Sequence, residues 1–211
     1  MGTGAPAGVR KGGTMLFAMM LTLAVTAAGQ DPKPTPQKLF ESGKYQEAID
    51  SVRERPDAPE DQVYLRALAH RKLNQNDEAK QAFGSLAGAP EGSAWRMIGN
   101  SGNALVDGNL DAAQEAANHA VEADGGSAQA RYQLGLVESA RNNQPQAAAA
   151  FAKAAELDPQ MAYAHYEAGM AFYKSKRVDR MAVYFENFLK LAPAAPERPA
   201  VLSIMKTVRG K

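Results

Sequence analysis

Residues 128–161 read AQARYQLGLVESARNNQPQAAAAFAKAAELDPQM, and residues 162–195 read AYAHYEAGMAFYKSKRVDRMAVYFENFLKLAPAA. Set one above the other at a spacing of 34, they align Gly135 with Gly169, Ala147 with Met181, Phe151 with Phe185 and Pro159 with Pro193. The same spacing continues upstream, through Ala67 and Ser101 in the first series and Ala79 and Ala113 in the second. A fixed period of this length marks stacked helix pairs, none of which can bury its apolar face without a neighbour. The predicted fold is all-α: an α-α superhelix, or solenoid, of about five helix pairs with a C-terminal capping helix.

Working outward from that register, the expected pairs are 36–42 with 45–55, 60–73 with 77–87, 92–106 with 110–123, 128–141 with 145–157, and 162–175 with 179–191. The repeats are about 36–59, 60–93, 94–127, 128–161 and 162–195. A last helix over about 197–209 carries Val201, Leu202, Ile204, Met205 and Val208 on one broad face. Thr35 is placed to cap a helix beginning at Pro36, because proline is tolerated in a first turn. Gly43, Asn74, Gly108 and Asn142 fall at equivalent turns. These are the residue types that enter the left-handed conformation ending a helix. Lys176 occupies that place in the fifth pair and predicts a less ideal turn.

These residues resemble the tetratricopeptide repeat. That motif asks for a small residue midway along the first helix, another early in the second, then an aromatic and a further apolar residue, and a closing proline. The fourth repeat matches best, with Leu134-Gly135, Ala147, Phe151, Ala154 and Pro159. The fifth follows with Ala168-Gly169, Phe172, Met181, Phe185, Phe188 and Pro193, and the second keeps Ala67, Ala79 and Phe83 with Pro90 displaced. The third keeps Ser101 and Ala113 but has Ala117 in the aromatic place, and the first is weakest. Leu134, Ala147, Phe151, Ala168, Phe172, Phe185 and Phe188 are the expected core.

In such arrays the first helices line a concave surface. The resemblance therefore implies a protein-binding groove of Tyr64, Leu68, Trp95, Ile98, Tyr132, Leu136, Tyr163, Tyr166, Met170 and Tyr173. Tyr166, Met170 and Tyr173 are spaced four and three apart and form one helical stripe. Tyrosine and tryptophan offer large contact area with a polar handle and are enriched in binding hot spots. The carboxylate clamp of chaperone-binding relatives needs asparagine where this chain has Leu68, Gly102, Leu136 and Met170, so an apolar helix or extended segment is the expected ligand.

With 24 basic and 23 acidic residues the net charge is +1, which gives no electrostatic reason to expect nucleic acid. Cysteine is absent, excluding disulfides and thiolate chemistry. His70, His119 and His165 fall in three different predicted helices with no HExxH spacing. The segment Gly99-Asn100-Ser101-Gly102 lies inside a predicted helix, where it cannot cradle a phosphate, and Ser101 sits in no GxSxG elbow. Neither catalysis nor a cofactor nor a metal is expected. Arg10 and Lys11 precede an apolar run, Met15 to Ala28, followed by small residues at Ala27, Ala28 and Gly29. That pattern is an export signal over 1–29, cleaved after one of the three. An uncleaved inner-membrane anchor is the alternative, although spanning a bilayer takes about 20 apolar residues. A Pro-rich linker, 30–35, leads into the repeat domain, 36–211. The expected function is a non-catalytic scaffold of the bacterial periplasm or envelope that binds another protein or peptide segment. Self-association into a homo-oligomer is the alternative, with a peptidoglycan-directed enzyme behind both.

Overall fold

The computed structural model describes Met1 and residues 33–210 apart from positions 54 and 56. The expected signal and the start of the linker, residues 2–32, lie outside the described residues. Eleven helices are found among the described residues and no strand. They are α1 (Pro36–Glu41), α2 (Tyr45–Arg53), α3 (Glu60–Lys72), α4 (Asn76–Ala87), α5 (Ala94–Val106), α6 (Leu110–Ala123), α7 (Ala128–Ala140), α8 (Gln144–Leu157), α9 (Ala162–Lys174), α10 (Val178–Leu191) and α11 (Arg198–Arg209). Each helix packs on the next in sequence, the arrangement of an α-α solenoid. None of the described helices is long and apolar enough to cross a membrane.

Local chemistry sets the boundaries. Thr35 accepts from the Lys38 amide, Ser93 from Arg96, Asn109 from Ala112 and Ser127 from Ala130, each satisfying an amide with no partner inside its helix. Gly43, Asn74, Gly108 and Asn142 all turn through positive φ, at 75°, 57°, 75° and 63°. Lys176 does the same at 60°. The fifth turn thus keeps the common geometry and bears the Cβ strain that glycine avoids.

Both small-residue series lie in the core. Ala67, Ser101, Ala79, Ala113 and Ala147 are fully buried, and Gly135 and Gly169 are covered by phenylalanine. A Cβ on Gly135 would stand 2.5 Å from Phe151, and one on Gly169 would strike Phe185. The second helix of a pair therefore lays its ring on the bare backbone of the first. The third pair reverses the sizes. Ala117 replaces the ring, and Ser101 fills the space, donating to the Ala113 carbonyl at 2.8 Å. The expected core is buried with one exception: Leu134 is half-buried, packing against the small cluster of Ala113, Ala117 and Val137. Gly102, read as a groove position, lies beneath the Phe83 ring of the preceding pair.

Candidate functional site: the hub of a closed superhelix

The first helices do converge on one axis, but the superhelix closes on itself. Phe40 of α1 meets Tyr163 of α9 edge to face, with ring centroids 5.0 Å apart. A Cβ on Gly43 would lie 3.0 Å from Pro196. The Tyr163 hydroxyl donates to Glu197 at 2.8 Å and lies 3.2 Å from the Tyr45 hydroxyl, so Tyr45 donates in that second bond. Glu197 also takes an ion pair from Lys72 of α3 at 2.9 Å, and the Lys72 ammonium sits 4.7 Å from the Tyr163 ring centre. First, second and fifth pairs are thus tied together around one carboxylate. Burial, reinforced by the bonds to Tyr45 and Glu197, pushes the Tyr163 hydroxyl far above the usual tyrosine range, so it stays protonated and can donate.

Closure corrects part of the expected groove. Tyr64, Ile98, Tyr132 and Tyr163 are only 2%, 0%, 4% and 3% exposed; they present little surface, and Tyr64, Tyr132 and Tyr163 reach only the small cavities beside the axis. They fill the axis instead. Tyr64 donates to Gln133 at 3.0 Å, Gln133 donates to Ser101 at 3.0 Å, and Ser101 continues to the Ala113 carbonyl. This buried relay joins α3, α7, α5 and α6, and every polar group in it has a partner, as burial requires. Leu68, Trp95, Leu136, Tyr166 and Met170 are partly buried around this plug, and Tyr173 is 39% exposed.

Two cavities flank the plug and share Phe40, Leu68 and Tyr132 as walls. One, of about 240 Å³, opens where the first helices begin, with Asp61, Gln129 and Asp158 among its lining residues. A shallower recess at Trp95 continues from it through Gln129 and Asp158. The other, of about 220 Å³, lies toward the ends of α3, α7 and α9, with Arg71, Lys72 and Glu167 on its walls. Burial raises the Glu167 carboxyl above the usual range, against the opposing pull of Lys72 and Lys174. His70 pairs with Gln75, His119 is exposed, and His165 packs on Tyr184. Among the described residues no group of three His, Asp or Glu could hold a metal.

Phe40, Gln133, Arg71, Glu167 and Glu197 belong to the hub but carry no sequence signal that marks them. Gln133 and Glu167 are polar residues beside expected core positions, Leu134 and Ala168, and read as helix surface. Glu197 lies beyond the last repeat, where the register assigns no partner.

No protein-family model matches the chain, and none of the curated proteins matches it. Solved structures do. TTC0263, a thermophilic TPR protein of Thermus thermophilus, is 18% identical, covers 81% of this chain and 95% of its own, and superposes with a TM-score of 0.59. YrrB, described as a TPR protein with an unusual peptide-binding site, is 18% identical over 81% of this chain and 88% of its own, with a TM-score of 0.49. MamA from Desulfovibrio magneticus RS-1 is 19% identical over 74% of this chain and 90% of its own, with a TM-score of 0.47. The class is an all-α repeat solenoid. Its helix pairs, small-residue series and likeness to TTC0263 make the fold that of a tetratricopeptide repeat protein.

Proposed function

We propose that the chain is a non-catalytic scaffold, exported to the bacterial periplasm or envelope, that holds an apolar segment of another protein. The observation that carries this reading is the stripe Tyr166, Met170 and Tyr173 on α9. Closure buries Tyr64, Tyr132 and Tyr163 but leaves this stripe only partly covered, with Tyr173 the most exposed of the expected groove residues. An amphipathic helix or extended segment with apolar side chains is the chemistry such a stripe accepts. Export rests on the basic flank and apolar run of residues 10–28.

A photo-crosslinking residue at position 173 tests the docking surface, with position 183 as control, since Val183 is 57% exposed on α10. Capture of a specific envelope protein from 173 and not from 183 is expected. Equal capture from both, or none from 173, removes the assignment. The mass of the mature chain tests export. A product beginning at residue 28, 29 or 30 supports it, and an intact chain in the cytoplasm overturns it.

A further inference from the structure

The 220 Å³ cavity between α1, α3, α7 and α9 has apolar walls, Phe40, Leu68 and Leu136, and polar ones, Arg71, Lys72, Tyr132 and Glu167. Among the described residues, neither the Arg71 nor the Glu167 side chain makes a hydrogen bond or an ion pair, and the Tyr132 hydroxyl has no hydrogen-bond partner. Tyr132 is only 4% exposed, yet its hydroxyl is not sealed from solvent and lacks a hydrogen bond. Tyr132 is one of the residues that line this cavity. Lys72 is already committed to Glu197 and to the Tyr163 ring. A free cation, a free anion and a free hydroxyl therefore face one small space.

From this we infer that the cavity is a binding site for a small zwitterion of the α-amino-acid type with an apolar side chain. The planar guanidinium of Arg71 matches a carboxylate, Glu167 accepts from an ammonium, and Tyr132 supplies a further bond. Leu68, Leu136 and Phe40 cover the side chain. The volume equals about seven liquid waters at ~30 Å³ each. It falls below the roughly 300–1,000 Å³ of sites for drug-sized ligands, and so suits a molecule of this size. A peptide end supplies only one of the two charges, whereas a free amino acid supplies both. Holding the Glu167 carboxylate half-buried with neither a hydrogen bond nor an ion pair costs stability, and an ammonium ligand would offset that cost. The site is separate from the α9 stripe, and neither proposal rests on the other.

Calorimetric titration of the full-length protein with L-leucine, N-acetyl-L-leucine and L-leucinamide tests this. Leucine is expected to bind saturably, and each blocked analogue to bind roughly tenfold more weakly or worse, since each lacks one charge-assisted contact. Arg71→Met and Glu167→Gln should each weaken leucine by a similar factor. Glu167→Gln should affect N-acetyl-L-leucine little, because that probe has no ammonium. Tyr132→Phe is the milder variant should either of these fail to fold, and the analogue comparison needs no variant at all. Absence of saturable binding by leucine, isoleucine, valine and methionine up to about 10 mM, in the range of the weakest specific affinities, overturns the inference. So does equal affinity for leucine and either blocked analogue.

Discussion

Replacing Gly135 with serine and Phe151 with alanine, singly and together, tests why the third helix pair departs from its neighbours. In the fourth pair a serine Cβ would stand 2.5 Å from Phe151 Cδ1 and 2.6 Å from Cε1, about 1 Å inside a relaxed carbon contact of ~3.5–4.0 Å. Phe151 is fully buried, so the ring has nowhere to swing. Gly135→Ser should therefore cost about 1–3 kcal/mol in overpacking, less about 0.5 kcal/mol returned by better helix propensity. Phe151→Ala alone should cost about 3–5 kcal/mol through the cavity it leaves. The third pair already carries both changes as Ser101 and Ala117, with the hydroxyl bonded to Ala113. In the double variant the clash disappears with the ring, and the new hydroxyl gains the Ala147 carbonyl. The pair should be less destabilising than the sum by about 1–3 kcal/mol, a coupling typical of contacting residues. Urea unfolding followed by far-UV circular dichroism measures it. Additivity within about 0.5 kcal/mol would refute the size-exchange account of the third repeat.

Three further outcomes are expected. Tyr64→Phe removes the donor to Gln133 and leaves a buried carbonyl oxygen without its partner, costing about 1–3 kcal/mol in unfolding free energy. Lys176→Gly relieves a left-handed lysine at φ 60° and should stabilise by about 0.5–1 kcal/mol, read as a raised melting temperature. His165 is held below the usual histidine range by burial, with its Nε2 donating to the Pro159 carbonyl at 3.2 Å. The unfolded chain then takes up the proton first, so stability is lost as pH falls below about 6.5. Urea midpoints at pH values either side of that point should show the loss, and His165→Gln should reduce it.

The helix boundaries and turns were readable because their causes are local. A hydroxyl or amide before a helix satisfies its free amides, and glycine or asparagine enters the left-handed region at low cost, so Ser127 and Asn142 announce their roles within a few residues. The buried series was readable because its period is fixed. Closure was not readable. It accumulates from small rotations between successive pairs, and no residue encodes the total. Tyr64, Tyr132 and Tyr163 occupy positions that line a groove in an open solenoid and fill the axis in a closed one, so their burial depends on curvature alone. Arg71, Glu167 and Glu197 have the composition of ordinary solvated helix positions, and only the meeting of distant pairs sets them around a common space.

The bonds from Tyr163 to Glu197 and from Glu197 to Lys72 constrain how this molecule could change over time. An open solenoid can gain or lose a unit by duplication or deletion within its gene, because each unit answers only to its neighbours. Here the first and fifth described pairs answer to each other. A sixth pair inserted anywhere would carry Gly43 away from Pro196 and Tyr45 away from Tyr163, and removal of one would drive them into collision. The contacts between the first and fifth described pairs thus make the five described repeats interdependent, and a unit added or lost among them would break the ties at Glu197.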